Sequence, residues 1–373
     1  MLLPGKRLLS PRSVPTELNR RHTIYYAMSE GVSVRIGING FGRIGRSVFR
    51  TALGDPSVEV VGINDVADAE TMEYLARYDS VMGRLDAAVE GDHLVARSHE
   101  GEASARLTGE RDPTALPWGE LDVDVALECT GVFRTTADAS GHLDAGADRV
   151  VISAPPKDDE TRQIVYGVNE NEYAGERVVS NASCTTNSVA PVAATLDDRF
   201  GLESGYLTTV HAYTGSQSLI DGPHDKPRRG RAAAENIVPT TTGAAQAVTQ
   251  VLPRLKGRLD GMAIRVPVPT GSITQLTVDL ADSPDATDIN GAIRGAADGQ
   301  MAGVLGYTDD EVVSRDIVGL PFSSYVDLNS TAVVGAEGLA TVLAWYDNEY
   351  GFANRMLDVA RHVLPKASPV AQE

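Results

Sequence analysis

Short apolar runs alternate with polar breaks along the chain, and their periods separate strands from helices. Val34-Arg35-Ile36-Gly37-Ile38 alternates as a short strand does, and Val58 to Asn64 reads as a second. Between them, Arg43 to Leu53 carries Ile44 and Val48 on one helical face and stops at Gly54-Asp55-Pro56. Val123 to Leu127 alternates and breaks at Cys129-Thr130-Gly131, and Arg149 to Ile152 leads into Ser153-Ala154-Pro155-Pro156. Further on, Ser188 to Phe200 has helical spacing. Tyr206 to Val210 reads as a strand followed by His211, and strands resume at Ile273 to Leu280 and at Leu339 to Trp345. The first half therefore predicts α/β structure and the second a separate α+β unit.

The turn after the first strand carries the first chemistry. Gly40, Gly42 and Gly45 match Gly-x-Gly-x-x-Gly between a strand and a helix. The first glycine permits a tight turn, the second lets backbone approach a pyrophosphate, and the third lets helix pack on strand. The pyrophosphate then sits at the helix N-terminus. Asp65 lies 20 residues past Gly45, where a carboxylate bonds a ribose 2′-hydroxyl, and its charge repels a 2′-phosphate. A Rossmann-type doubly wound parallel sheet that binds NAD rather than NADP is expected. Thr130 and Ser153, at strand ends on the ligand-binding edge, are further cofactor contacts on this reading. Cys129, with no base near it in sequence, reads as structural.

Composition narrows the field. With 33 basic against 51 acidic residues the formal charge is -18, which argues against nucleic acid as the main partner. Only five of the basic residues are lysine, and scarce lysine in an acidic chain predicts a halophilic protein from a salt-loaded cytoplasm. Two cysteines exclude a disulfide framework and suit a reducing, cytoplasmic compartment. No apolar run approaches the roughly 18 residues of a membrane helix, and no spacing of histidines and cysteines points to a metal site. Met1 to Tyr26 holds five basic residues and a single acid, Glu17. Residues 1–32 read as a disordered extension, with Met28 as the true start and a transit peptide as the alternative.

Ser180-Asn181-Ala182-Ser183-Cys184-Thr185-Thr186-Asn187 places the second cysteine among small polar residues at a helix start. A helix N-terminus favours the thiolate, the form that attacks carbonyl carbon. Such a nucleophile needs a base, and His211 is the best placed, although a lone histidine after a strand is often only a hydrogen-bonded structural residue. Residues 215–236 form a long polar loop containing Arg228-Arg229-Gly230-Arg231, which reads as a solvated patch, a subunit contact or an anion site. Pro239 to Gly243 precedes an apolar helix-like stretch and offers a second phosphate-binding N-terminus. Arg265, inside an apolar strand, requires an anionic partner.

Taken together, Gly37-Ile38-Asn39-Gly40-Phe41-Gly42-Arg43-Ile44-Gly45, the cysteine motif, His211-Ala212-Tyr213-Thr214 and Trp345-Tyr346-Asp347-Asn348-Glu349-Tyr350-Gly351 resemble the phosphorylating glyceraldehyde-3-phosphate dehydrogenases of the NAD type. The likeness runs from about Val34 to the C-terminus. It implies an oxidoreductase that converts glyceraldehyde 3-phosphate and inorganic phosphate to 1,3-bisphosphoglycerate through a thiohemiacetal and a thioester on Cys184, with His211 as base. It further implies that Thr214 and Arg265 hold the substrate phosphate. Ser183, Thr185, Thr242 and Gly243 would frame the second anion site, with Arg229 nearby. Asn348 would hold the nicotinamide amide, and Arg43, Ile44, Asp65, Arg111 and Ser153 the rest of the cofactor. Gly215-Ser216 after Thr214 departs from the family's usual pairs and loosens the adjacent phosphate contacts. Asp221-Gly222-Pro223 resembles the NAD-specific members. The likeness also implies a homotetramer in which residues 215–236 reach a neighbour. The expected domains are residues 33–183 plus 349–373 for NAD, including a C-terminal helix, and 184–348 for catalysis. Two rivals are an erythrose-4-phosphate dehydrogenase and a binding protein that has lost turnover.

Overall fold

The chain folds around two large sheets. The structure is a computed structural model and describes residues 33–335 and 338–364. The expected N-terminal extension lies outside the described residues, as does the stretch from residue 365 of the expected NAD domain.

The first sheet is built from β1 (Val34–Asn39), β2 (Val58–Asn64), β5 (Asp86–Glu90), β6 (His93–Arg97), β7 (Glu102–Thr108), β8 (Val125–Glu128), β9 (Arg149–Ile152), β10 (Arg162–Gln163) and β11 (Val178–Ser180). A two-stranded ribbon, β3 (Tyr78–Asp79) and β4 (Gly83–Arg84), stands apart from it. The order is β10-β11-β9-β8-β1-β2-β7-β6-β5. All pairs are parallel from β10 to β7, whereas β5, β6 and β7 pair antiparallel. The sheet is therefore mixed at one edge rather than wholly parallel, a common finish for large open sheets. His93 opens β6.

Strand order reverses at β1. The chain runs from β1 to β2 on one side and returns to β8 on the other, which opens a crevice at the carboxyl ends of β1 and β8. Ile36, Ile38, Ile63, Leu127 and Val151 are buried beneath this edge together with Phe49 of the helix Arg43–Ala52. The C-terminal helix Tyr350–His362 packs into the same core through Phe352, Met356 and Val359.

The second sheet comprises β12 (Leu202–Ala212), β13 (Val238–Thr241), β14 (Leu259–Val266), β15 (Ser272–Leu280), β16 (Leu305–Thr308), β17 (Ser324–Val334) and β18 (Leu339–Tyr346) in the order β13-β14-β12-β15-β18-β17-β16. Parallel and antiparallel pairs mix, and the helices Cys184–Phe200, Ala244–Val251 and Ala286–Asp298 cover the face from which Leu207, Leu276, Val278 and Val342 project. Parallel register between β12 and β14 sets His211 directly beside Arg265. The strand runs two residues past Val210, so His211 belongs to it and its backbone is fixed.

Candidate active site

A cleft of about 920 Å³ runs from the crevice at β1 and β8 to the carboxyl end of β12. Its chemistry begins with the chain leaving β11. Ala182 is held at φ 56, a left-handed conformation that is rare outside glycine. It is completely buried, and its N–H donates to Ser180 Oγ at 3.0 Å. That turn launches a helix of 17 residues whose first residue is Cys184. Ser183 is the N-cap, its Oγ accepting from Thr186 N–H at 3.0 Å. The cysteine is one turn nearer the helix start than the apolar spacing placed it, because Ser183 and the polar first turn are helix-capping residues that apolar periodicity cannot register.

Cys184 Sγ lies 3.5 Å from His211 Nε2. His211 Nδ1 is 2.7 Å from the Ala212 carbonyl oxygen, which accepts its proton. Arg265 Nη1 also lies 3.0 Å from Nδ1, but the shorter contact is the one to the Ala212 oxygen, and with the proton there Nε2 is the lone-pair nitrogen facing the thiol. Arg265 Nη1 donates to the Ala212 oxygen at 3.0 Å and to Thr214 Oγ1 at 3.3 Å, which anchors the guanidinium beside the imidazole. Arg265 Nε is buried with no hydrogen-bond partner.

Burial pushes the Cys184 thiol up, against the pull of the Arg265 charge and of the Thr185 hydroxyl and N–H. Burial, reinforced by the Arg265 charge, takes His211 down to about 3. Burial thus favours a neutral thiol beside a neutral imidazole. Burial therefore opposes the helix N-terminus, whose N–H groups favour the thiolate. At 3.5 Å, Nε2 is within reach of the thiol proton, the arrangement by which a neutral thiol can become a nucleophile.

Two family models match the chain. One, described as glyceraldehyde 3-phosphate dehydrogenase, NAD binding domain, covers residues 34–136, and the other, glyceraldehyde 3-phosphate dehydrogenase, C-terminal domain, covers residues 183–348. The chain is 63% identical over 332 residues to the glyceraldehyde-3-phosphate dehydrogenase of Haloarcula vallismortis, spanning 88% of this chain and 98% of that one. It is 51% identical over 337 residues to the enzyme of Mycobacterium tuberculosis strain H37Rv (88% and 98%). It is 49% identical over 339 residues to glyceraldehyde-3-phosphate dehydrogenase 1 of Bacillus subtilis (90% and 99%). The chain belongs to the glyceraldehyde-3-phosphate dehydrogenase family.

The nucleotide end of the cleft fits the dinucleotide that this family's first domain is described as binding. Gly40 adopts φ 95, and a Cβ there would stand 2.7 Å from the Thr130 nitrogen, so only glycine lets β1 turn beside the end of β8. A Cβ at Gly45 would collide with the Gly40 carbonyl, whereas one at Gly42, the helix N-cap, would meet nothing within 4 Å. That open backbone at a helix N-terminus leaves room for an anion such as a pyrophosphate. Asp65 accepts from the N–H of Phe41 at 2.7 Å and from that of Ala67 at 3.0 Å, which aims the carboxylate beside the glycine turn. Asn348 is buried, and its Oδ1 accepts from Ser272 Oγ at 2.9 Å and Thr270 Oγ1 at 3.3 Å, which leaves its amide nitrogen for the cleft.

Of the residues singled out in the sequence, Arg43, Ile44, Thr130, Ser153, Ser183, Cys184, Thr185, His211, Thr214, Arg229, Thr242, Gly243, Arg265 and Asn348 all line this one cleft. Gly40, Gly42, Gly45, Asp65 and Arg111 do not line it. The glycines and Asp65 form the turn beyond its end, and Arg111 is exposed in the segment after β7. Arg43 is ion-paired to both Asp79 and Glu349. Burial works against its charge, but the two carboxylates outweigh burial and hold it cationic. Thr214 Oγ1 is 2.9 Å from Ser216 Oγ, so the unusual Gly215-Ser216 pair places a hydroxyl against the residue expected to hold phosphate.

Sequence reasoning missed two supports. Tyr346 is buried with its hydroxyl between Thr185 Oγ1 (3.0 Å) and Thr209 Oγ1 (2.9 Å), and its ring meets the His211 ring edge-on at 5.9 Å. It stood inside a motif that was quoted but given no role. Glu128 is buried under Thr130. It accepts from the Thr130 N–H at 2.8 Å, from Asn39 Nδ2 at 2.6 Å and from His142 Nε2 at 3.2 Å, while Trp118 Nε1 donates to His142 Nδ1 at 3.0 Å. Glu128, His142 and Trp118 thus pair one another's buried polar groups beneath the cleft.

Proposed function

We propose that the protein catalyses the NAD-dependent oxidative phosphorylation of glyceraldehyde 3-phosphate to 1,3-bisphosphoglycerate. The observation that carries this reading is the 3.5 Å approach of Cys184 Sγ to His211 Nε2 in a cleft shared with Arg265 and Arg229. Family membership supplies the substrate and NAD.

His211 Nε2 takes the thiol proton as Cys184 bonds to the aldehyde carbon, then returns it to the oxygen of the thiohemiacetal. N–H groups at the helix start and the protonated imidazole stabilise the intervening oxyanion. NAD, when bound across the crevice, supplies the hydride acceptor. Nε2 takes the hydroxyl proton again as the C–H bond breaks, and a thioester is left on Cys184. Inorganic phosphate attacks that carbon, the C–S bond breaks, and the sulfur leaves as thiolate and takes the proton from Nε2, while the phosphate's own proton passes to solvent. Arg265 and Thr214 hold the phosphate of the substrate. Ser183, Thr185, Thr242 and Gly243, with Arg229, receive the attacking phosphate. Asp65 disfavours NADP by charge repulsion with its 2′-phosphate.

Residues 33–183 with the C-terminal helix as the NAD unit and 184–348 as the catalytic unit agree with this division of labour. A homotetramer is supported by Leu219, Ile220 and Ile237, which are 76%, 75% and 70% exposed on or beside the long loop of the isolated chain. Light scattering on the purified protein tests the assembly, and a monomer would refute it. No helix among the described residues is long and apolar enough to cross a membrane, and we place the protein in the cytoplasm.

The decisive assay is NADH formation from glyceraldehyde 3-phosphate with inorganic phosphate or arsenate present or absent, with NADP and erythrose 4-phosphate in parallel. Sustained turnover is expected only with NAD, the triose and an oxyanion acceptor. Equal sustained rates without any acceptor would overturn the phosphorylating reading.

A further inference from the structure

We propose that Lys226 is a further phosphate-binding residue of the acyl-transfer half-reaction, a cation at the rim that holds the attacking inorganic phosphate. The proposal rests on the phosphorylating reading above. Lys226 lines the same cleft as Cys184, Arg229, Thr242 and Gly243. Its backbone is fixed on both sides. The N–H donates to His224 Nδ1 at 2.9 Å, and the carbonyl accepts from the Arg229 N–H at 2.8 Å. His224 is in turn held through Nε2, which donates to the Ser216 carbonyl at 3.1 Å. Pro227 follows and opens a short 3-10 turn, Pro227–Gly230, that carries Arg229.

The side chains of this turn converge on one strand end. Lys226 Nζ donates to Thr241 Oγ1 at 3.0 Å. Arg229 Nε donates to Thr240 Oγ1 at 3.0 Å, and Nη2 to the Thr241 carbonyl at 3.3 Å. Thr241 leads at once into Thr242 and Gly243, the N-cap of the helix Ala244–Val251, where a Cβ would meet nothing within 4 Å. Open backbone, a helix N-terminus and two cations thus face the same volume.

The charges of this cluster have no carboxylate to answer them. Among the described residues Lys226, Arg229 and Arg265 form no salt bridge, although acids outnumber bases 51 to 33 in the chain. Arg231 on the same loop pairs with Asp221, and Arg43 at the other end of the cleft pairs twice. The ammonium of Lys226 spends one of its three donors on a neutral hydroxyl and keeps two for an anion. The ammonium is seated on Thr241, beside the Thr242-Gly243 turn, and makes no hydrogen bond to Cys184 or His211, so its contribution falls on phosphate capture and not on acylation.

The test separates the two half-reactions. Wild-type protein and the K226M, K226E and K226R variants are mixed with NAD and glyceraldehyde 3-phosphate in phosphate-free buffer to read the first NADH burst. Steady-state rates are then titrated with inorganic phosphate and, separately, with arsenate. K226M is expected to raise the KM for both anions about tenfold and K226E further, with K226R restoring most of it, since one charge-assisted contact is at stake. The burst should rise at the wild-type rate, and the difference should shrink in molar KCl as the rim charge is screened. An unchanged phosphate KM in K226M and K226E, or no recovery in K226R, would overturn the proposal. Loss of the burst in K226M would do so too, by placing Lys226 in acylation. A wild-type protein that gives no burst would instead sink the reading on which the proposal rests.

Discussion

Cys129 and Cys184 line one cleft and differ in everything that sets the chemistry of a thiol. Cys129 ends a strand, and its N–H is fixed to the Asn39 carbonyl at 2.7 Å. Burial pushes its thiol up, and the neighbouring Glu128 charge pushes it further, against a hydrogen bond to Ser153. Cys184 opens a helix. Burial pushes its thiol up as well, but the Arg265 charge pulls the other way, and an imidazole nitrogen waits at 3.5 Å. Neither sulfur is a ready thiolate. One has a base and a cation; the other has a carboxylate. Reactivity here is a property of the second sheet, which delivers His211 and Arg265 in register, more than of the cysteine itself.

The largest test of this contrast exchanges each sulfur for oxygen. Cys184→Ser should lower NADH formation by about 10⁴-fold or more, since nucleophile and base act as a unit, while NAD binding followed by fluorescence stays intact. Cys129→Ser should stay within about threefold of wild type, as expected for a residue that contacts no reacting atom. A dead Cys129→Ser with native circular dichroism would break the comparison.

The next test makes Cys184 resemble Cys129 by removing its base. His211→Asn should cost about 10²- to 10⁴-fold in the burst rate, the usual worth of a general base. Alkylation of Cys184 by iodoacetamide should then need more alkaline pH. The same substitution has a stability signature. His211 is taken down to about 3 in the fold from 6.5. Above pH 6.5 the imidazole is neutral folded or unfolded, whereas from there down to about 3 only the unfolded chain binds the proton. The fold therefore loses stability as pH falls through that window, and His211→Asn should flatten the decline of Tm between pH 6.5 and 3. A decline as steep as that of wild type would show that His211 is not held neutral.

These residues were legible to different degrees, for physical reasons. The glycine turn and Asp65 could be read because their geometry is local. A strand, a tight turn and a helix start lie within a few residues, and the acid follows at a fixed spacing. Cys184 announced itself through its polar neighbours. His211 could be named only as the best-placed base, because its partnership with sulfur is made by tertiary contact. The β5–β7 edge escaped notice since its inward positions are largely alanine, as in Ala87, Ala96 and Ala105, which carry little strand signal. The Glu128, His142 and Trp118 chain and the seat of Tyr346 were out of reach, because residues 14 to 161 positions apart meet only after the sheets have formed.

Arg265 sharpens the contrast at intermediate cost. Arg265→Leu removes the charge that pulls Cys184 down and depresses His211. Alkylation of Cys184 should slow at neutral pH. The kcat/KM for glyceraldehyde 3-phosphate should fall about 10- to 100-fold with loss of a charge-assisted contact. At the far end, Asp65→Ala leaves both sulfurs alone and should narrow the preference for NAD over NADP by about tenfold, through loss of one repulsive charge. An unchanged preference would assign selectivity to some other residue.

The smallest effect is expected at Tyr346, which touches the environment of Cys184 only through its neighbours. Its hydroxyl bridges Thr185 and Thr209, and its ring edge backs His211. Tyr346→Phe keeps the ring and deletes the bridge, leaving two buried threonine hydroxyls to pair elsewhere. A loss of about 1 kcal/mol is expected from a buried hydrogen bond removed on one side, read as a lower midpoint in urea with an unchanged slope. Because the ring remains, His211 keeps its orientation, so the alkylation profile of Cys184 should move little and the burst rate by less than about threefold. A burst loss as large as that of His211→Asn would mean that the hydroxyl itself takes part in proton movement, and the base beside Cys184 would then be a pair of residues, not one.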